Sequence, residues 1–330
     1  MRTAFAVAVA VAALSWTSAA WTSDARAFEP NQPTCIAPAS PGGGFDLTCR
    51  IAQRSLEAVD LLPSPMEVTF MPGGIGAVAY AHMNSSRIDE PNTIVAFSSG
   101  STLNIAQGKF GVGLDETDAR WLATVGADFG AIVVRAESEF ETLDDLLEAV
   151  QDDPSGLVFG AGGSIGSQDW MKAALLVGSV GVDPRELRYV AYEGGGKSKA
   201  ALLGGHIDVF PGDVSEMTGE LETGTMRILA VLAPERLPEP FAEFPTAREM
   251  GYDVEWTIFR GFYMGQEVSD EAYDWWVSQF ETLYESPEFQ RVRAEQGLFE
   301  FNLAGEPLDA YVRESVVEMR DLARATGLIE

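Results

Sequence analysis

Histidine and cysteine are scarce in this chain, with two of each among 330 residues. His82 and His206 lie far apart, and neither C-x-x-C nor H-E-x-x-H occurs, so the donor spacings of common metal centres are missing. Basic residues are also few. Twenty-two Lys and Arg face 50 Asp and Glu, a net charge of −28, which argues against nucleic acid or an anionic membrane as partner. No apolar run reaches the ~20 residues of a membrane-spanning helix. Fixed-period repeats and low-complexity tracts are missing too. Nucleotide motifs fail on spacing. After Gly160 and Gly162 the third position of G-x-G-x-x-G is Ile165, and the first glycine of a P-loop ending in Gly196-Lys197-Ser198 falls on Ala191. No metal or cofactor is expected.

The chain opens with Arg2, an apolar stretch Ala4–Leu14 and Ala25-Arg26-Ala27, an A-x-A cleavage site; residues 1–27 read as a secretory signal peptide. A cut after Ala20 is the alternative. In an exported chain, Cys35 and Cys49, 14 residues apart, are candidates for a disulfide. Closing such a loop is worth ~3 kcal/mol on the chain-entropy model. Two separate buried thiols remain the other reading. Length allows two domains of ordinary size, and 46% hydrophobic content with near-zero mean hydropathy fits a soluble globular protein.

Strand-like runs alternate with helix-like stretches, the pattern of an α/β fold. Strands are predicted over Thr34–Ala37, Met66–Met71, Thr93–Phe97, Ala131–Val134, Leu157–Gly160, Leu187–Tyr192, Ile207–Phe210, Met226–Leu232 and Trp256–Gly265. Helices are predicted over 45–59, 77–83, 142–150 with a Thr142/Asp145 capping box, 169–179, around Ala200, 271–284, from Ser286, and 307–325.

Four glycine-rich turns follow strands: PGGGFD at 41–46, PGGIG at 72–76, GAGGSIGS at 160–167 and EGGGKS at 193–198. In an α/β sheet such turns sit at the carboxyl ends of strands, where ligands bind. Without Cβ the backbone N–H groups approach a guest closely, and a helix starting there adds a partial positive charge. Gly162-Gly163-Ser164-Ile165-Gly166 also fits G-x-S-x-G, the nucleophile elbow of serine hydrolases. The histidine after Ser164 is His206, with Asp183 between them. A hydrolase histidine usually comes late on a loop, so an anion cradle is the preferred reading. Asp46 is read as an N-cap, with Arg50 one turn on. Lys197 and Arg260 are the candidate cations.

In this order the motifs resemble the periplasmic solute-binding proteins of tripartite tricarboxylate transporters, the TctC/Bug family. IAPASPGGGFDLTCR, MPGGIGAVAYA, FSSGS, GAGGSIGS, YVAYEGGGKSKAALLGGHIDV and FRGFYMG carry the resemblance, over nearly the whole chain after residue 27. It implies a two-lobed, hinged α/β Venus flytrap, with lobe 1 made of 28–126 and 243–330 and lobe 2 of 127–242. It implies a small organic carboxylate as ligand, a tricarboxylate such as citrate or else a dicarboxylate or aromatic acid. Membrane transporter subunits would be the partners, the compartment the periplasm, and the protein a soluble monomer without enzymatic activity. A ligand-sensing role toward a receptor is the alternative to transport. Carried over residue by residue, one binding loop is Pro41, Gly42, Gly43, Gly44, Phe45 and Asp46. The facing loop is Gly162, Gly163, Ser164, Ile165, Gly166 and Ser167. Further pocket positions are Ser98, Ser99, Ser101, Tyr192, Gly194 and Asp213. Two departures alter the expected pocket: Phe45 stands where a small hydroxyl residue is common, and Phe70-Met71 where many members have Asn-Arg.

Overall fold

A computed structural model describes residues 28–330; the predicted signal peptide lies outside the described residues. In chain order the elements are β1 (Thr34–Ala37), α1 (Gly44–Ala58), β2 (Glu67–Phe70), α2 (Ala77–Ser86), β3 (Thr93–Ser98), α3 (Ser99–Ala106) and β4 (Ala119–Arg135). There follow α4 (Leu143–Asp152), β5 (Val158–Gly162), α5 (Gln168–Ser179), β6 (Arg188–Tyr192), α6 (Gly195–Leu203), β7 (Phe210–Asp213) and α7 (Thr218–Glu222). The chain ends with β8 (Met226–Leu232), β9 (Thr257–Gly265), α8 (Asp270–Tyr284), α9 (Pro287–Glu295) and α10 (Glu306–Ala325).

The main sheet runs β2-β1-β3-β9-β4-β7, with β8 also paired to β4, and β5-β6 form a separate pair. β1 is parallel to β2 and β3, whereas β9 is antiparallel to both β3 and β4. β4 makes the architecture continuous. Its residues Ala119–Phe129 pair with β9, and from Gly130 onward it pairs with β7 and β8. One strand thus leaves the first half of the fold and enters the second near Gly130, with register shifts on both sides of the crossing.

Each half is layered by the period-2 alternation of its strands. On β3, Ile94 and Ala96 face a core under α1, α8 and α9 that includes Trp276, Phe280 and Phe289. Val95 and Phe97 face the opposite core, with Tyr80, Trp121, Val312 and Val316. β4 repeats the device after its crossing: Ile132 and Val134 point to one cluster, Ala131 and Val133 to another. Both faces are covered, so these strands read as near-continuous apolar runs rather than alternating ones. The Cys35–Cys49 disulfide forms, joining β1 to α1 with Cα atoms 5.7 Å apart, and it brackets the first glycine loop.

Predicted and observed elements differ at β4, α3 and β7, and α7 was not predicted. β4 begins at Ala119, twelve residues before the strand predicted at Ala131, because Gly126, Asp128 and Gly130 interrupt its apolar pattern. α3 starts directly at Ser99, capped by Ser98 and Ser101, where no helix was predicted. The strand predicted over Ile207–Phe210 lies further on: β7 starts at Phe210 and runs to Asp213.

Candidate ligand-binding site

The glycine runs after β1 and β6 meet face to face. A Cβ on Gly196 would overlap the Pro41 carbonyl, and one on Gly44 would overlap the Arg260 guanidinium. Only glycine permits this approach, and it brings the N-termini of α1 and α6 together from opposite halves of the fold. The third contributor is the loop between β5 and α5. A cavity of about 50 Å³ lies among these parts, walled by Gly43, Gly44, Phe45, Ser98, Gly162, Ser167, Gly194 and Asp213, together with Gln168, Asp169, Glu216 and Arg260. It adjoins a wider cleft of about 450 Å³ lined by Gly73, Gly74, Ile75, Lys109, Gly163, Ser164 and Tyr192.

Other predicted site residues serve the scaffold around this cavity. Ser99 Oγ accepts from Phe259 N at 2.9 Å, and Ser101 Oγ from Ser98 N at 3.3 Å. The Ile165 carbonyl accepts from Lys109 Nζ at 2.9 Å and the Gly166 carbonyl from Gln107 Nε2 at 2.7 Å. Both contacts clamp the tip of the second loop to the first half. Asp46 is not the N-cap, since α1 starts two residues earlier with Gly43 in that position. Its carboxylate reaches back to accept from Gly42 N at 2.8 Å and pairs with Arg50 at 2.7 Å.

The loop amides are largely taken up by the chain itself. Besides Gly42, Gly162 N donates to Asp169 Oδ2 at 2.8 Å, Gly163 N to the Tyr192 carbonyl at 2.9 Å, and Gly44 N to Glu216 Oε1 at 2.5 Å. Three carboxyl groups thus sit on N–H groups of the two glycine loops. The last is supplied from across the cavity, by the turn following β7.

A charge network lies beneath the cavity. Arg260, 2% exposed, donates to Asp128 Oδ2 and Asp213 Oδ2, both at 2.6 Å. Lys172, fully buried, reaches Asp213 Oδ1 at 2.5 Å and Asp169 Oδ1 at 2.7 Å. Burial pushes the Asp128 and Asp169 carboxyls above the usual range despite these partners. Burial acts on Asp213 in the same direction, but Lys172 and Arg260 on either side outweigh it and hold that carboxyl low. Glu216 is pushed up to about 8, first by burial and then by the charge of Asp213.

Of the two predicted cations, Arg260 is this structural hub, and Lys197 instead pairs with Glu193 on the surface at 2.8 Å. Lys172, Asp128, Asp169 and Glu216 escaped the sequence reading. The one signal was the Asp169/Lys172 spacing on a helix whose neighbours are apolar. Nor does Ser164 gain a histidine: His206 follows the C-terminal end of α6, about 14 Å along that helix from the cavity.

The tripartite tricarboxylate transporter family receptor model, TctC, matches residues 72–328. Protein BugT of Bordetella pertussis (strain Tohama I) is 27% identical over 66% of this chain, and the match spans 65% of BugT, slightly under two thirds of its length. The fold is that of the periplasmic binding protein BugD, with TM-score 0.80 and 20% identity over 89% of this chain and 97% of BugD. MatC of Rhodopseudomonas palustris with bound malate gives TM-score 0.75 and 19% identity over 88% of this chain and 98% of MatC. The fold is thus the two-lobed α/β one of periplasmic binding proteins, and this chain belongs to the tripartite tricarboxylate transporter receptor family, TctC.

Proposed function

We propose that this protein captures a small organic carboxylate between its two halves and passes it to the membrane subunits of a tripartite transporter, working as a soluble monomer in the periplasm. The observation that carries this reading is the convergence of two helix N-termini, those of α1 and α6, and the 162–167 loop on one cavity. Helix N-termini favour negative charge. The inner cavity has room for a single carboxylate, since a water needs about 10–15 Å³ by the same measure. The wider cleft then takes the rest of the molecule, with Ile75 and Tyr192 offering apolar surface and Lys109 a charge.

A dicarboxylate or hydroxy acid fits this division best, and malate bound to MatC supports that class. Citrate is the bulkier alternative. Phe45 narrows the inner wall where a hydroxyl residue would have widened it. The lobes are taken as 28–126 with 243–330, and 127–242. The β4 crossing near Gly130 and the return between β8 and β9 form the hinge, and a ligand touching both lobes selects the closed state. No bond is made or broken: Ser164 is part of the cleft wall, and a fluorophosphonate should leave it unlabelled.

Titration calorimetry against malate, succinate, citrate and benzoate tests the proposal. Binding of at least one of the first three is expected; no heat with any of them would refute it.

A further inference from the structure

For a carboxylate site, this cavity holds an unexpected wall. Asp169, Asp213 and Glu216 line it against a single guanidinium, Arg260, and that cation is already shared between Asp128 and Asp213. Asp169 and Asp213 are answered by Lys172. Glu216 stands in no ion pair among the described residues. Of the cations that act on it, Arg260 is bonded to Asp128 and Asp213, and Lys199 of α6 donates to the Glu216 backbone carbonyl at 2.7 Å and pairs with Glu220. Asp46 and Arg50 of α1 face Glu216 across the groove behind it and pair with each other.

The side chain is aimed rather than merely buried. The turn that carries it is fixed by Asp128, which accepts from Ser215 N and Ser215 Oγ at 3.2 and 2.6 Å. Glu216 Oε1 accepts from Gly44 N, and the carboxyl group lies against Gly195, where any Cβ would overlap both oxygens. It therefore occupies the seat between the N-termini of α1 and α6. A second ionised carboxylate beside it, in a pocket whose cations are spent on other acids, meets like-charge repulsion.

We propose that Glu216 takes part in binding as the neutral acid: Oε1 goes on accepting from Gly44, Oε2–H donates to the ligand carboxylate, and ligand and one proton occupy the site together. Above the titration of Glu216 the proton comes from solvent; below it the proton is already in place. The pH window follows from the raised value of about 8, and the adjacent bound anion raises it further. This rests on the carboxylate-binding reading above and names the group that makes an acidic cavity compatible with it.

The test is the dissociation constant of the intact protein for malate and succinate, from roughly pH 7 to about 10, where both probes stay fully ionised. Affinity should be nearly level at the low end and fall by up to about tenfold per pH unit well above the Glu216 titration, the one-proton limit. Calorimetry near pH 9 in buffers of different ionisation heat should show uptake of a proton on binding. Glu216→Gln keeps an acceptor and a donor in the same places and has no proton to lose. Its affinity should stay level across the range and exceed wild type at the alkaline end, without proton uptake. Glu216→Ala should bind weakly throughout. Binding with level affinity and no proton uptake in wild type overturns the proposal and leaves the carboxylate reading intact. So does an E216Q profile that falls as steeply as wild type. No binding of either probe by wild type or E216Q overturns both.

Discussion

The two glycine loops that face the cavity are stabilised in opposite ways. In the second, between β5 and α5, the inner amides close on groups of their own half: Gly162 on Asp169, Gly163 on Tyr192. Only its tip is reached from outside, by Gln107 and Lys109. In the first, between β1 and α1, the outer amide of Gly42 closes on local Asp46, while the innermost, Gly44, takes its acceptor from Glu216 in the opposite half. The second loop is therefore tied at its base within its own half, whereas the first takes an acceptor from the opposite half. Electrostatics follow the same division, because the pairs of Lys172 lie within the second half, whereas Arg260 joins β9 to β7.

The largest effect should come from cutting that joint. Arg260→Leu leaves Asp128 and Asp213 buried with one partner fewer, and losing one member of a buried charge set costs about 3–5 kcal/mol. Arg236→Ala, which breaks the exposed pair with Glu249, should cost far less, because solvent screens such pairs. Urea unfolding of both variants gives the ratio; equal losses would mean the buried hub holds the halves no better than a surface pair.

Next comes the staple on the first loop. Cys35→Ser/Cys49→Ser should lower stability by about 3 kcal/mol, with a larger relative loss in ligand affinity than any substitution confined to the second loop's own ties. Thermal unfolding with and without malate separates the two. If affinity per folded molecule is unchanged, the first loop does not need its anchor.

Gly44→Ala places a methyl group against the Arg260 guanidinium and displaces an amide that ties the first loop to the opposite half. A buried group left unsatisfied costs about 1–3 kcal/mol, a loss of affinity of roughly 5- to 150-fold. Gly178→Ala, where a Cβ meets nothing within 4 Å, is the matched control and should leave binding level. Calorimetry on both decides whether the close approach at Gly44 is required.

Much of this division was legible in the sequence. Strand-turn-helix order placed both loops at strand ends, the Thr142/Asp145 capping box formed as the spacing indicated, and the cysteine pair closed. The buried charges were hidden because each looks ordinary in its own segment. Lys172 sits on an amphipathic helix, Asp128 between small and aromatic residues, and Glu216 in a polar-looking turn. Only when β4 carries Asp128 through the crossing and β7 ends at Asp213 do three remote segments share one interior. No local pattern encodes that meeting. The same limit explains β4 itself: buried on both faces and broken by Gly126 and Gly130, it shows neither alternation nor an uninterrupted apolar run.

The smallest predicted effect concerns the tip of the second loop. Lys109 Nζ donates to the Ile165 carbonyl across the cleft mouth, and burial lowers its pKa, so desolvation partly offsets the bond. A typical hydrogen bond nets about 0.5–1.5 kcal/mol, and at this exposed edge the Lys109 desolvation reduces it and water replaces it when the cleft opens. Lys109→Met keeps the stem and deletes the donor. The closed state should lose less than about 1 kcal/mol, a fivefold or smaller drop in affinity. The loss should appear in the dissociation rate, because the contact exists only after closure. Stopped-flow measurement of both rate constants checks this. A change confined to association would place Lys109 in steering the anion toward an acidic protein rather than in holding the tip, and the second loop would then be as self-sufficient at its rim as it is at its base.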